Sequence, residues 1–341
     1  MADRINQRKI EHLQALLQDK HVERNGRYFD DMQLMHRALP EIDLDEIDPS
    51  IEILGRQLAF PLLISSMTGG TGIQMLEVNQ RLAQAAQATR VAMGVGSQRV
   101  MFTHPSARKS FRLRELAPDA LLLGNLGAVQ LKNGFGLEQA QAAIDVLQAD
   151  GLFLHLNPLQ EAVQPEGNTN FSGLAMAIGD LQRHLHAPLI LKEVGAGLSP
   201  ADIELGLAQG INWFDVAGRG GTSWSRIEQQ RRDGEDQLGI TLQDWGISTP
   251  QALRLARPYM EQANFIASGG LRNGLDMVKS VIMGGCLCGI AAPLLAPAMQ
   301  STEAVIRVIE ALKKEFVTVM FLLSVRHLDQ LVLNDGLVLS Q

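Results

Sequence analysis

Residues 151–167 carry the densest set of side chains able to do chemistry. The apolar run Gly151-Leu152-Phe153-Leu154 leads into His155, Leu156 and Asn157, and behind Pro158 come Gln160, Glu161 and the segment Gln164-Pro165-Glu166-Gly167. An imidazole, two amides and a carboxylate at the mouth of a buried strand cost desolvation free energy unless a ligand, a metal or one another satisfies them. Such a group reads as the edge of an active site. The competing reading is a strand end whose polar groups only satisfy loop backbone. What decides between them is the rest of the chain.

The segment is one of eight apolar runs that end in small or polar residues: 61–70, 91–99, 120–127, 151–157, 188–195, 213–218, 264–270 and 285–292. Helical periodicity fills the gaps, at 75–89, 137–147, 201–208, 249–260 and 275–283. Continuous apolar strands alternating with helices mean a parallel sheet covered on both faces. Eight units fit an α/β fold, a (β/α)8 TIM barrel, whose active site gathers at the C-terminal strand ends. A doubly wound open sheet fits less well. No Gly-x-Gly-x-x-Gly turn follows the first run, and polar residues end nearly every run rather than two at a switch point. The expected organisation is an N-terminal helical arm and linker over 1–50, then a single barrel domain over 51–341.

Composition narrows the function classes. Of 341 residues, 46% are hydrophobic and 20% charged, and the net charge is −7, which leaves no electrostatic footprint for nucleic acid or an anionic membrane. No apolar stretch reaches the length of a membrane span, and charges run through residues 1–18, so neither a membrane segment nor a signal peptide is expected. The two cysteines, Cys286 and Cys288, are read as unpaired thiols on a buried strand, which fits a reducing cytoplasm.

Residues 4–18 read as an amphipathic helix whose charged face includes Arg8, Lys9, Glu11 and His12. That face is either solvated or belongs to an arm that brings cations over the barrel mouth. At the other end of the barrel, Ser268-Gly269-Gly270-Leu271-Arg272 and Ala291-Ala292 place backbone amides where barrel enzymes form a phosphate site, completed by a helix N-terminus. The alternative for Gly269-Gly270 is a plain tight turn. Together with Lys192, Asn125 and Ser66-Met67-Thr68 at other strand ends, the arrangement is what a flavin mononucleotide would use: a lysine holds negative charge at the flavin N1/O2 edge while amides bond the pyrimidine ring.

The order of motifs carries a resemblance. Arg8-Lys9 with Glu11-His12, Ser66-Met67-Thr68-Gly69-Gly70, Gly96-Ser97-Gln98-Arg99, Asn125-Leu126-Gly127, His155-Leu156-Asn157 with Gln160-Glu161, Gln164-Pro165-Glu166-Gly167, Lys192-Glu193-Val194-Gly195, Gly220-Gly221-Thr222-Ser223-Trp224 with Ile227-Glu228, Trp245-Gly246 and Ser268-Gly269-Gly270 resemble the motif series of type 2 isopentenyl diphosphate isomerase. The match runs from residue 8 to about residue 292. The resemblance implies a reversible 1,3-allylic isomerisation of isopentenyl diphosphate to dimethylallyl diphosphate, in a cytoplasmic homo-oligomer (tetramer or octamer) that uses FMN, Mg2+ and NADPH or another reductant. Reduced flavin is then the acid and base, and no side chain is named as the certain proton carrier. His155, Asn157 and Gln160 line the pocket. It further implies substrate contacts from Arg8, Lys9, Ser97, Gln98, Arg99 and Gln160, Mg2+ on Glu161, and FMN on Ser66, Met67, Thr68, Ser97, Asn125, Lys192, Thr222, Gly269, Gly270, Leu271, Ala291 and Ala292. One departure shows: the family pattern reads Pro-Glu-Gly-Asp where this chain has Asn168, which changes local loop charge. An FMN-dependent oxidoreductase of the 2-hydroxy-acid oxidase or dihydroorotate dehydrogenase type is the alternative, against which the cationic arm argues.

Overall fold

The computed structural model describes residues 19–24, 26, 28–67, 72–232 and 236–339. A short antiparallel hairpin, β1 (Ile51–Ile53) and β2 (Arg56–Leu58), precedes eight parallel strands: β3 (Leu62–Ile64), β4 (Ala92–Gly94), β5 (Leu122–Gly127), β6 (Gly151–Leu156), β7 (Leu189–Glu193), β8 (Trp213–Asp215), β9 (Asn264–Ser268) and β10 (Gly285–Ile290). The eight close into a barrel as β10 pairs with β3. Every barrel strand falls inside one of the eight apolar runs. The helical segments follow the same plan, at Ile73–Thr89, Leu137–Leu147, Pro200–Ala208, Thr249–Ala256 and Gly274–Ile282.

Alternation along each strand sorts the core into two layers. Leu63, Leu123, Phe153, Ile190, Trp213, Ile266 and Leu287 point inward and pack as one cluster. Their neighbours Leu62, Leu122, Leu152, Leu189, Phe214, Phe265 and Cys288 belong to the other cluster, shared with the surrounding helices. The hairpin supplies Ile53 and Leu58 to the inner cluster and so seals the bottom of the barrel. Strict alternation would put Cys286 and Cys288 on one face. A register shift between Gly285 and Leu287 breaks it, so that Cys286 packs against the inner cluster while Cys288 faces outward, both as free thiols.

Two large helices have no counterpart among the expected segments, Leu174–His184 and Thr302–Leu322. The linker before the hairpin wraps the C-terminal part: Phe29 is buried and its carbonyl accepts from Lys279 Nζ at 2.8 Å, and Arg37 N donates to Leu322 O at 2.9 Å. The charged segment that follows β8 is not a featureless loop. It contains the short helices Trp224–Gln229 and Leu238–Thr241. The helix expected over 4–18 lies outside the described residues. No helix among the described residues is long and apolar enough to cross a membrane.

Candidate active site

The inward alternation that builds the apolar layer also aims the chemistry. Two residues beyond Leu123 stands Asn125, beyond Phe153 His155 and then Asn157, beyond Ile190 Lys192, beyond Trp213 Asp215 and beyond Ile266 Ser268. At the C-terminal mouth, Asn125, His155, Asn157, Lys192 and Ser268 line a cavity of about 270 Å³, together with Ser66, Met67, Ser97, Arg99, Gln160, Glu161, Thr222, Gly269, Gly270, Leu271, Ala291 and Ala292.

Three polar networks surround it. In the first, Asn125 Nδ2 donates to Ser66 Oγ at 2.9 Å, and Asn125 Oδ1 lies 2.7 Å from His155 Nδ1. With the amide nitrogen engaged by Ser66, Oδ1 is the acceptor and His155 Nδ1 carries the hydrogen. In the second, Lys192 Nζ pairs with Asp215 Oδ2 and donates to Ser268 Oγ at 3.2 Å, while Ser268 Oγ donates to Asp215 Oδ1 at 2.5 Å. The lysine also stands 5.4 Å from the centre of the Phe153 ring. Asp215 is fully buried, so it offsets the cost of holding the ammonium at the barrel axis.

The third network joins the carboxylates. Asn157 Nδ2 donates to Gln160 Oε1 at 3.1 Å and to Glu161 Oε1 at 3.0 Å, and Gln160 Nε2 donates to Glu228 Oε1 at 2.7 Å. Glu161 Oε2 accepts the Asn168 N–H at 2.6 Å. The departure from the family pattern at Asn168 therefore leaves this contact intact, because the backbone makes it. Arg231 bridges Glu228, at 2.9 Å, and Glu166, at 2.6 Å. Asn157 Oδ1 is buried with no hydrogen-bond partner, an oxygen prepared for a ligand or a cation.

The opposite end of the cavity is built from backbone. Gly269 and Gly270 have φ of +99° and +82°, and a Cβ on Gly269 would lie 2.0 Å from Gly218 O, one on Gly270 2.5 Å from Gly220 C. Only glycine fits here on both counts. The helix Ala292–Gln300 begins at the cavity without a side-chain cap, whereas Ser301 caps the helix after it. An uncapped N-terminus beside glycine amides suits an anion. Glu23, Thr222 and Arg272 complete this end.

Glu193 has the opposite parity to Lys192 and turns away from the axis. Its Oε2 accepts the N–H groups of Val194 and Gly195, both at 2.6 Å, of Ala196, and of Gly197 at 3.1 Å. Burial pushes its carboxyl up to about 7, against the pull of these four donors toward the charged form. The turn it holds presents Gly195 O to the buried Arg24, at 3.0 Å, and Arg24 also donates to Gln243 O at 2.9 Å.

Most residues expected at the site therefore meet around one cavity, but Gln98 does not reach it. Its side chain is 0% exposed, donates to Ala143 O at 2.8 Å and accepts from Asn125 N at 3.0 Å. It is a clamp behind the wall, and a substrate contact there is corrected accordingly. Arg8, Lys9 and Thr68 lie outside the described residues. The sequence gives no role to Asp215 or Glu23, and it names Ser268 and Glu228 only as members of motifs, with no role for their side chains. Asp215 and Ser268 follow from alternation past Trp213 and Ile266; Glu228 and Glu23 carry no such signal.

A glycine and helix-N-terminal cradle at one end, with a lysine, amides and hydroxyls toward the axis, fits a flavin mononucleotide. The FMN-dependent dehydrogenase family matches residues 1–104 and 128–336. The isopentenyl-diphosphate delta-isomerase of Hydrogenovibrio crunogenus is 56% identical over 98% of each chain. The protein of the same name from Paracoccus zeaxanthinifaciens is also 56% identical, over 97% of this chain and 96% of that one. A flavocytochrome b2 variant shares the fold at 16% identity, with a TM-score of 0.69 over 96% of this chain and 82% of the other. The chain belongs to the FMN-dependent dehydrogenase family and, within it, to the type 2 isopentenyl-diphosphate delta-isomerases.

Proposed function

We propose that the protein catalyses the reversible 1,3-allylic isomerisation of isopentenyl diphosphate to dimethylallyl diphosphate. The observation that carries this reading is the meeting of two unlike ends in one cavity, the flavin cradle and the network of Asn157, Gln160, Glu161 and Glu228. An oxidoreductase of a small 2-hydroxy acid shares the cradle but has no use for this second network, and relatives at 56% identity carry the isomerase name.

FMN would be held by Ser66, Met67, Thr68, Ser97, Asn125, Lys192 and Thr222, with Gly269, Gly270, Leu271, Ala291 and Ala292 at its phosphate, and in reduced form it would supply the acid and base. NADPH would serve as the reductant. The protein's part is binding, orientation and exclusion of water. Protonating an unactivated alkene develops positive charge at a tertiary carbon, which water would capture. Met67, Val194, Leu271, Ile290 and Leu295 give the cavity an apolar wall against that loss.

The diphosphate end needs cations. Arg99 and Ser97 line the cavity, and Arg8 and Lys9 would join them from the arm. Residues 19–24, which follow the arm, are already seated at the mouth: Asp19 accepts from Arg226 Nε at 2.7 Å, and Val22 packs on Ile227. Among the described residues no group of three or more His, Cys, Asp or Glu is set to hold a metal. Mg2+ bound through Glu161, with Asn157 Oδ1 and Gln160 beside it, would take its remaining ligands from substrate phosphate and water, the usual mode for this ion. A cytoplasmic homo-oligomer completes the reading, to be checked by light scattering.

The test is turnover of isopentenyl diphosphate with FMN, Mg2+ and NADPH present, then with each omitted in turn. Product formation that stops without FMN or Mg2+ but consumes no stoichiometric NADPH is expected. One NADPH consumed per product overturns the isomerase reading in favour of the oxidoreductase.

A further inference from the structure

We infer that Glu23 stands in for the phosphate of the cofactor, occupying the groups that would bind it and yielding them when FMN enters. The inference rests on the flavin reading above and concerns how the cofactor is admitted.

Among the described residues, Glu23 and Glu161 are the two carboxylates that line the cavity, and Glu161 lies in the network of amides at the other end. Glu23 sits among Gly221, Thr222, Gly270 and Arg272, at the end built for an anion. Its Oε1 accepts from the Thr222 hydroxyl, and its Oε2 accepts from Arg272 Nη2 at 2.9 Å. The same arginine donates to Gly220 O at 3.3 Å, on the backbone that packs against Gly269 and Gly270. A carboxylate thus satisfies a hydroxyl and a guanidinium that border the glycine cradle. A phosphate carrying close to two negative charges would compete for both groups and would repel the carboxylate.

The backbone of Glu23 is stitched to the same loop. Glu23 bridges Thr222 in antiparallel fashion, Arg24 N donates to Gly221 O at 3.2 Å, and Ser223 N donates to Val22 O at 2.8 Å. The Glu23 side chain keeps 28% of its exposure and so has room to turn toward solvent. Entry of the phosphate therefore removes the two side-chain contacts that tie residues 19–24 to Thr222 and Arg272, and leaves the segment held by its backbone pairing with fewer bonds than before.

The effect belongs to the phosphate, so riboflavin is the control. Both flavins are titrated into cofactor-free protein by fluorescence quenching, with wild type and Glu23→Gln, which keeps the side-chain volume. The expected result is FMN affinity increased roughly threefold or more in the variant, with riboflavin affinity unchanged. Equal or weaker FMN binding, or an equal gain for riboflavin, overturns the inference. Hydrogen exchange of residues 19–24 in the wild-type protein gives a second measurement independent of the variant's folding: exchange should quicken with saturating FMN and not with riboflavin, and identical protection by the two overturns it. Wild-type protein that takes up neither flavin refutes the cofactor reading itself, whereas FMN uptake that Glu23→Gln leaves untouched refutes only the placeholder.

Discussion

The family resemblance implies Mg2+ on Glu161 and a substrate contact from Gln98, and the surroundings of the two residues separate them. Glu161 faces the cavity with one oxygen on Asn157 and the other on the Asn168 amide. Glu161→Gln keeps the volume and removes the charge that a hard cation selects. Mg2+-dependent turnover should fall on the order of 100-fold while FMN still binds, and a wild-type rate at limiting Mg2+ would exclude Glu161 as the ligand. Gln98 is different in kind. Gln98→Leu leaves the buried Asn125 N–H without its partner and removes a second bond to the helix carbonyl Ala143 O, and should cost about 1–3 kcal/mol in urea unfolding. A raised KM at unchanged stability would return it to the substrate. A sequence names polar residues at a turn, but it does not say which way each one points. His155, Asn157 and Lys192 were readable because strand parity fixes their direction; Gln98 follows the end of β4 at Gly94, where parity no longer holds.

Turns and helix starts set the cavity's shape. Gly269→Ala would bring a methyl group 2.0 Å from Gly218 O at a φ of +99°. We expect FMN affinity to drop at least roughly tenfold with the far-ultraviolet circular dichroism unchanged. Retained affinity would mean that the cradle is elsewhere. The turn that follows Glu193 responds to pH. Its carboxyl, near 4.5 when unfolded, is raised to about 7 in the fold, so the folded state binds the proton more tightly. The resulting stabilisation is fully present below about pH 4.5 and disappears as pH rises through 7, a change on the order of 3 kcal/mol. Glu193→Gln should flatten that part of the stability profile, and equal slopes in both proteins would disprove it. Elements differed in how well the sequence announced them. The eight strands stood out because buried parallel strands read as unbroken apolar runs. The helix Thr302–Leu322 has an equally regular stripe, Val305, Ile309, Leu312, Phe316 and Met320, but it follows the eighth strand, where the repeat had already been counted. The β1–β2 hairpin has three residues per strand, too few for a periodic signal.

Considered entire, the protein separates stability from chemistry along the barrel axis, apolar below and polar above. If the reaction proposed here transfers protons and no net electrons, protein carrying oxidised FMN should be inactive, and dithionite without any nicotinamide should restore full turnover. Continued inactivity after complete reduction would rule out the acid–base role. That the chain forms a barrel, and at which end it works, could be read from the spacing of its runs. The mutual engagement of Lys192 with Asp215 and of Gln160 with Glu228 could not, because the first depends on the register between β7 and β8 and the second joins segments that follow β6 and β8.

The inner apolar layer, closed at its base by Ile53 and Leu58 of the hairpin, leaves the cavity, among the described residues, a vessel that opens at the strand mouth. Cofactor, substrate and product would share one route, so the last to arrive is the first to leave. Under the function proposed above, the flavin would go in first and lie deepest, and a bound diphosphate would then act as its stopper. Dioxygen, which would spoil a reduced flavin, has to use the same doorway, so endurance in air depends on what crosses the mouth and not on the walls.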